Sequence, residues 1–296
     1  MKIIVTGSNG FIGRKIGEYL VNLQHEVYGV DINYSKCKFE TFGFSLLSNE
    51  VSEFFEKIKP DLFIHCAGSA NVGLSVENPL LDFERNVVLL YKTLLNLDKL
   101  EKKPRFLFLS SAAVYGNPKT LPIKEDDELN PISPYGLHKK LCEEICLYFR
   151  NIKKFDIKIA RIFSAYGEGL KKQLLWDLVN KSKASDSIEL FGTGEESRDF
   201  IHIDDLVKAL CMISLEDSSE CIFNVANGKE ICIKEIASLF NEAFKNKTFS
   251  FNNVTKTGDP LNWVADISKL KVLGYEENVS IDNGVNRYIK WVNNGE

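Results

Sequence analysis

Long hydrophobic runs are missing from this chain of 296 residues. Its first apolar segment, Ile3-Ile4-Val5, is short and leads at once into a glycine-rich loop, so neither a membrane span nor a secretory leader is expected. An even, paired set of cysteines is missing too. The 7 present are scattered without a Cys-x-x-Cys pair, which argues against a disulfide framework or a zinc site and for reduced thiols in a cytoplasm. Cys142 and Cys146 share a helix face, but packing or exposure explains them better than metal. Histidine is scarce: 4 residues, dispersed, of which a lone one such as His202 is more often a polar core or surface residue than a ligand, and no metal is expected. A net charge of −4 gives no general attraction to nucleic acid or an anionic membrane, so any anionic ligand must be held by local groups. Internal repeats, low-complexity tracts and free linkers are absent. With 44% apolar and 26% charged residues the chain can build one large core or two adjoining lobes.

What is present begins at residue 2. Lys2 to Thr6 reads as a short buried strand, Gly7-Ser8-Asn9-Gly10-Phe11-Ile12-Gly13 follows, and Ile16, Leu20 and Leu23 then carry a helical pattern. Strand, glycine loop and helix in that order lay a pyrophosphate on a helix N-terminus, where unpaired N–H groups and the dipole favour negative charge. The glycines follow a Gly-x-x-Gly-x-x-Gly spacing. A second strand, Glu26 to Val30, ends at Asp31, whose carboxylate can bond both hydroxyls of an adenosine ribose and would repel a 2′-phosphate. NAD is therefore favoured over NADP, a preference tempered by the nearby cations Arg14, Lys36 and Lys38.

Strands and helices continue to alternate. Asp61 to Cys66, Arg105 to Leu109 and Ile157 to Phe163 are further apolar runs separated by helical stretches, the pattern of a parallel sheet covered on both faces. Between Asp31 and Asp61, Phe42 to Leu47 is the candidate strand and Val51 to Ile58 a helix. Asn78-Pro79 starts a helix that runs to about Leu97, with Asn86 on its apolar side and in need of a partner. After about Ser164 the rhythm changes to scattered helices (173–183, 204–214, 233–245 and 281–292) and short strands. The expected architecture is a doubly wound parallel α/β sheet of Rossmann type over 1–163 with a smaller C-terminal α/β lobe over 164–296, the chain crossing between them near 200–230. That lobe folds over the strand C-termini, where ligands of open α/β sheets bind.

Tyr135 and Lys139 stand four residues apart at the start of a helical segment opened by Ser133-Pro134 and continued by Leu141, Ile145 and Phe149. The ammonium beside the phenol favours the phenolate, so the pair can exchange a proton with a sugar or alcohol hydroxyl near neutral pH. Tyr34/Lys38 and Tyr115/Lys119 have the same spacing. The first follows a strand with no amphipathic pattern behind it, and the second encloses Pro118 in a Gly-Asn-Pro turn.

These residues resemble the extended short-chain dehydrogenases/reductases that act on nucleotide sugars, in particular the epimerase branch typified by UDP-glucose 4-epimerase. The resemblance runs to about Gly274 and covers the glycine loop, Asp31, Ala67-Gly68 with Val72-Gly73-Leu74-Ser75-Val76, Asn86, Leu109 to Gly116, Pro134 to Lys139, Arg161 to Gly167, Gly192-Thr193-Gly194, Arg198 to His202 and Gly258-Asp259-Pro260. It implies that Tyr135 takes the proton of a sugar hydroxyl while hydride leaves the same carbon for nicotinamide, that Ser111 bonds that oxygen, and that Lys139 bonds the nicotinamide ribose. Ser110, beside Ser111, is an equally suited hydroxyl and is also placed with the cofactor, together with Ala67, Gly68 and Asn86. A sugar nucleotide's diphosphate would be held by Arg198, helped by Lys256 or Lys171, with Ser164 near the sugar or the diphosphate, where many relatives carry Asn. At Lys256 relatives commonly carry Arg, and a lysine offers a point charge without the bidentate fork.

After Ser111, dehydratases of this kind carry Asp-Glu and decarboxylases a Glu. Here Ala112 and Ala113 stand in their place, and a methyl group cannot transfer a proton, so elimination of water is not expected. The implied activity is NAD-dependent epimerisation of a nucleotide sugar at C4 through a 4-keto intermediate. The alternatives are NAD(P)H-dependent reduction of a 4-keto sugar and, remotely, a non-catalytic dinucleotide sensor. By the same likeness, the helices beginning near Pro79 and Tyr135 pair across a two-fold axis into a homodimer.

Overall fold

A parallel sheet with helices on both faces organises the chain, as seen in the computed structural model, which describes residues 1–244, 247–254 and 261–295. In chain order the strands are β1 (Lys2–Thr6), β2 (Glu26–Asp31), β3 (Glu40–Gly43), β4 (Leu62–His65), β5 (Arg105–Ser111), β6 (Ile157–Ile162), β7 (Ser164–Tyr166), β8 (Ser187–Leu190), β9 (Ser197–Arg198), β10 (Phe200–His202), β11 (Ile222–Val225), β12 (Ile231–Cys232) and β13 (Thr248–Phe251). The helices are α1 (Phe11–Asn22), α2 (Val51–Ile58), α3 (Val72–Glu77), α4 (Pro79–Phe83), α5 (Leu89–Leu97), α6 (Pro134–Asn151), α7 (Gln173–Ala184), α8 (Ile203–Leu215), α9 (Ile233–Ala243), α10 (Ser268–Val272) and α11 (Ile281–Asn293).

The main sheet has the order β11-β6-β5-β4-β1-β2-β3, every pair parallel. Both faces are covered, so β4 and β6 are buried at every residue, β4 apolar up to His65 and β6 apolar apart from the buried Lys158 and Arg161. Ile3, Val5, Leu107 and Leu109 face the core under α1 and α8, while Ile4, Phe63, Phe106 and Phe108 face the core under α2, α5 and α6. The chain runs outward through β2 and β3, then returns to the other side of β1 with β4. The crevice at the β1/β4 carboxyl ends is thus the topological switch point where open α/β sheets bind ligands.

A third core, including Leu178, Ile188, Phe240 and Tyr288, lies beneath the short strand pairs β7–β10, β9–β12 and β8–β13. Within the second part of the chain, β11 pairs with β6 at the edge of the main sheet, and α8 packs in the core with α1.

Two expectations are corrected. The third strand is Glu40–Gly43, not 42–47: Gly43 is opposite Asp31 at the end of the pairing, and beyond it a turn closed by Ser48 N to Ser45 O drops Leu46 into the core. The helix expected from Asn78 to Leu97 is not uniform. Asn78 caps it as foreseen, accepting from Leu81 N at 3.1 Å, but Glu84–Val88 forms a π-helical turn between α4 and α5. Such widened turns recur at functional sites, and this one carries Asn86. Of the 233–245 helix, Lys245 lies outside the described residues; α9 covers Ile233–Ala243.

Candidate functional site

At the mouth of the crevice the glycine loop is as tight as its spacing requires. Gly7 has φ +64°, and a Cβ at Gly13 would stand 2.2 Å from the Gly7 carbonyl oxygen, so the loop closes only without side chains there. Gly10 is the residue before α1 and supplies no side-chain cap, which leaves the N–H groups of the first helical turn, at Phe11, Ile12 and Gly13, open to an anion. Asp31 ends β2 beside this loop. One of its oxygens accepts from Asn9 N at 3.0 Å and the other from Asn33 N at 3.1 Å, so the carboxylate is held in place.

Across the crevice, β4 ends at His65 and the chain continues through Cys66 and Ala67 to Gly68. Burial, with the charge of Lys139 second, pushes His65 down to about 3, and the imidazole is neutral. It meets the Thr6 hydroxyl at 3.2 Å, and the same hydroxyl accepts from Ala67 N at 3.2 Å. Gly68 has φ +143°, and a Cβ there would lie 2.7 Å from Asn86 Oδ1. The partner foreseen for Asn86 is the Asp82 carbonyl, bonded by Nδ2 at 3.1 Å; Oδ1 is buried with no partner among the described residues. A buried acceptor left over beside Gly68 and an uncapped helix start beyond Gly10 are what a bound dinucleotide would satisfy.

The start of α6 is built by serine and proline. Ser133 caps it, accepting from Gly136 N at 3.1 Å, and Pro134 takes the first helical position. Gly136 lets the helix approach the turn after β5: a Cβ there would stand 2.5 Å from the Ala113 carbonyl oxygen. Tyr135 and Lys139 are thereby brought to the end of β5, both nearly buried. Lys139 Nζ donates to the Leu109 carbonyl at 2.9 Å, lies 4.9 Å from the Phe108 ring centre and 5.9 Å from that of Tyr135.

The competing pairs are eliminated. Tyr34 is 70% exposed, while Tyr115 is buried with its hydroxyl bonded to Arg161 and Asn224, and Lys119 pairs with Glu128 at the surface.

The neighbouring serines differ. Ser110 is buried and donates to Glu143 Oε1 at 2.5 Å. Ser111 is half-buried, and its Oγ accepts from Ala113 N at 3.2 Å, which caps the short turn at Ala112–Val114. Accepting that bond leaves its proton to donate into the crevice.

On the second lobe, Ser164 N bonds the Asp199 carbonyl at 3.0 Å, which sets β7 beside β10. Arg198 donates to the Ser197 and Leu261 carbonyls at 2.8 and 3.1 Å and lies 5.8 Å from the Trp263 ring. The nearby carboxylates have other hydrogen-bond partners: Glu195 takes Lys234, Glu196 takes Thr193 N and Gly194 N, and Asp199 takes Asn227 N, Gly228 N and Ala265 N. Lys256 lies outside the described residues. Lys171 stands 5.7 Å from the Trp291 ring, whereas Lys172 spans the crevice to the Ala70 carbonyl at 3.4 Å, and burial there pushes its ammonium down. Of these two lysines it is Lys172, not Lys171, that reaches the Ala70 carbonyl after β4.

Sequence reasoning named Ser75 only as part of a matched segment and gave it no role; its hydroxyl accepts from Tyr135 N at 3.1 Å. Sequence reasoning missed the ion pair of Glu143 with Arg161 at 2.7 Å, although Glu143 continues the Tyr135, Lys139 spacing by four more residues and was visible as such.

Comparison with known proteins agrees with this geometry. The model of the NAD dependent epimerase/dehydratase family matches residues 3–226, and the chain belongs to that family. It is similar to a putative UDP-glucose 4-epimerase of Methanocaldococcus jannaschii, 28% identical over 99% of this chain and 98% of the relative. It is also similar to a UDP-glucuronate 4-epimerase of Thermodesulfobacterium geofontis, 29% identical over 97% and 95%. Among solved structures, the UDP-glucose 4-epimerase of Thermotoga maritima with UDP-glucose superposes with a TM-score of 0.91 at 26% identity, covering 100% of this chain and 99% of that one. The UDP-glucuronic acid 4-epimerase of Bacillus cereus, in complex with UDP-glucuronic acid and NAD, gives 0.91 at 25% identity over 100% of both chains. The expected fold class and family are borne out.

Proposed function

We propose that this member of the NAD dependent epimerase/dehydratase family inverts the configuration at C4 of a nucleotide-diphosphate sugar, removing and restoring hydrogen at that carbon through a 4-keto sugar. The observation that carries this is the hook of Lys139 onto the Leu109 carbonyl, which brings the Tyr135 stripe of α6 to the end of β5 beside Ser111.

The first turn of α1, with Gly7, Asn9, Gly10, Phe11, Ile12 and Gly13, would hold the pyrophosphate of NAD, and Asp31 the adenosine ribose hydroxyls. Ala67, Gly68 and Asn86 would line the rest of the dinucleotide, with Lys139 on the nicotinamide ribose. Ser110 adds its backbone, its hydroxyl being taken by Glu143. When bound, NAD supplies a hydride acceptor and donor that side chains do not provide.

Tyr135 acts as the base that takes the proton from O4 as that carbon is oxidised, and returns it as the acid when the keto sugar is reduced from its other face. Ser111 donates to the same oxygen and stabilises its developing charge. The Ala112 and Ala113 methyl groups hold no proton for a neighbouring carbon, so the keto sugar is reduced rather than dehydrated. Arg198, with Lys256 and Lys172, holds the diphosphate, and Ser164 faces the sugar. Division of labour follows: residues 1–163 bind the dinucleotide and 164–296 the sugar nucleotide, with the chain crossing back near 200–230, a reading supported by the place of β11 in the main sheet.

The proposal includes a cytoplasmic homodimer. Seven free thiols support the compartment, and among the described residues no helix is long and apolar enough to cross a membrane. Exposed apolar side chains on α5 and α6, among them Tyr91, Leu95, Leu137, Leu141 and Tyr148, support pairing of these helices with a second copy. Sedimentation at micromolar concentration should give twice the chain mass; a monomer there would refute it.

Incubation with UDP-glucose, UDP-N-acetylglucosamine and 4-keto nucleotide sugars, with and without NAD(P)H, tests the activity. Epimer formation without net cofactor use is expected. Stoichiometric NAD(P)H consumption by a 4-keto sugar would replace the epimerase by a reductase, and silence throughout would leave a dinucleotide sensor. Tyr135→Phe should lower turnover by about 10²-fold or more with NAD binding retained; unchanged turnover would refute the role of Tyr135.

A further inference from the structure

The segment that carries Ser111 is pinned on both sides to one buried ion pair. Glu143 accepts from Arg161 through Nε at 3.0 Å and Nη2 at 2.7 Å, and both side chains are almost fully buried. On the near side of Ser111, the Ser110 hydroxyl donates to Glu143 Oε1. On the far side, Tyr115 closes the turn that Ser111 opens, and its hydroxyl accepts from Arg161 Nη1 at 2.8 Å and donates to Asn224 Oδ1 at 2.7 Å. Arg161 Nη1 also reaches the Glu125 carbonyl at 2.8 Å, and Asn224 N donates to the Glu125 carboxylate at 2.9 Å, so the network has a backbone anchor beyond the turn.

The helix side of the arrangement is regular. Tyr135, Lys139 and Glu143 recur every four residues and share one stripe of α6. Lys139 bonds the carbonyl of Leu109 and Glu143 bonds the hydroxyl of Ser110, so α6 grips β5 at consecutive residues immediately before Ser111. The same stripe carries the phenol.

We propose that the Glu143–Arg161 ion pair is a positioning device for the reaction, with Ser110 and Tyr115 as its tethers, holding the Ser111 hydroxyl in fixed relation to the Tyr135 phenol. This rests on the proposed roles of Ser111 and Tyr135. A buried ion pair is weak evidence for stability, because desolvation cancels much of the attraction. Its effect here is geometric: it fixes two segments of the chain against one helix. The Ser110 and Tyr115 side chains act through Ser111, and their loss should appear in turnover rather than in substrate binding.

The tethers are tested singly, since removing Glu143 would strand a buried guanidinium and endanger folding. Ser110→Ala and Tyr115→Phe each delete one hydroxyl with little change of volume. Each should lower kcat by about 10-fold, within the up to ~10²-fold that a misplacement of about 1 Å costs. KM for the nucleotide sugar and retained NAD should stay close to those of the parent, while Tm falls modestly in both variants because a buried acceptor on Glu143 or Asn224 loses its donor. In the double variant the losses should be non-additive, because both tethers act on the same hydroxyl. The inference is overturned if kcat is unchanged in both variants, or if the fall in kcat comes with a raised KM and loss of retained NAD, as general loosening would require. Failure of the reading beneath it looks different: Ser111→Ala and Tyr135→Phe would then leave turnover intact as well.

Discussion

Ser75 and Tyr135 are joined across sixty positions of sequence by a hydrogen bond of 3.1 Å, from the Tyr135 backbone N–H to the Ser75 hydroxyl oxygen. The hydroxyl in turn donates to the Val72 carbonyl at 2.7 Å, so its geometry is fixed within α3. With Ser133 on Gly136 N, the first turn of α6 has two of its backbone donors satisfied by serines from different segments. Ser75→Ala leaves the Tyr135 N–H buried without an acceptor, at a cost of about 1–3 kcal/mol. A lower melting temperature and a turnover reduced severalfold are expected from thermal melts and initial rates. If both stay at parental values, the clamp is not what orients the tyrosine.

Asp31 is oriented by Asn9 N and Asn33 N, one on each oxygen. A carboxylate so held loses little freedom when ribose hydroxyls bind, and a charged hydrogen bond of this sort contributes ~1.5–3 kcal/mol. Asp31→Ala should therefore weaken NAD by about 10-fold or more and narrow the gap between NAD and NADP. Calorimetric titration of cofactor-stripped protein with each dinucleotide measures both, and an unaltered ratio would mean that the ribose is read elsewhere.

Glu168 makes a prediction about acid. Burial pushes its carboxyl up, but the His202 bond at 3.0 Å and the Arg287 bond at 2.8 Å outweigh it and hold the group at about 2. An unfolded glutamate titrates near ~4.3, so between the two values the unfolded chain binds the extra proton. The stabilisation is complete above the unfolded value and is lost as pH falls toward the folded one. Glu168→Gln should melt lower than the parent near neutral pH, and the gap should shrink as the pH is taken below about 4. A gap of constant size across that range would show that the carboxylate charge is not what ties the loop after β7 to α11.

The glycine loop, Asp31 at the end of β2 and the Tyr135/Lys139 pair were legible because each is a local pattern defined by spacing within one turn or one strand–helix unit. The start of α6 was legible for the same reason, with Ser133 and Pro134 adjacent to the tyrosine they serve. The third strand was misplaced because Phe42, Phe44 and Leu46 alternate like a strand. Pairing with β2 ends at Gly43, and Leu46 is buried from a turn instead. The π-helical turn at Glu84–Val88 breaks no periodicity that a single chain displays. Lys171 and Lys172 are indistinguishable as residue types; only the direction of the chain entering α7 sends one to Trp291 and the other across the crevice.

Covalent order alone therefore settled the class of sheet and picked out the glycine loop and the Tyr135/Lys139 pair as candidates, since these follow from periodicities and neighbours within a few residues. Folding in three dimensions was needed to separate the hydroxyl of Ser111 from that of Ser110, and to assemble Glu143 with Arg161 and Ser75 with Tyr135. Those choices turn on which strands lie side by side and which face each side chain takes. The packing of distant segments fixes both, and no local spacing encodes them.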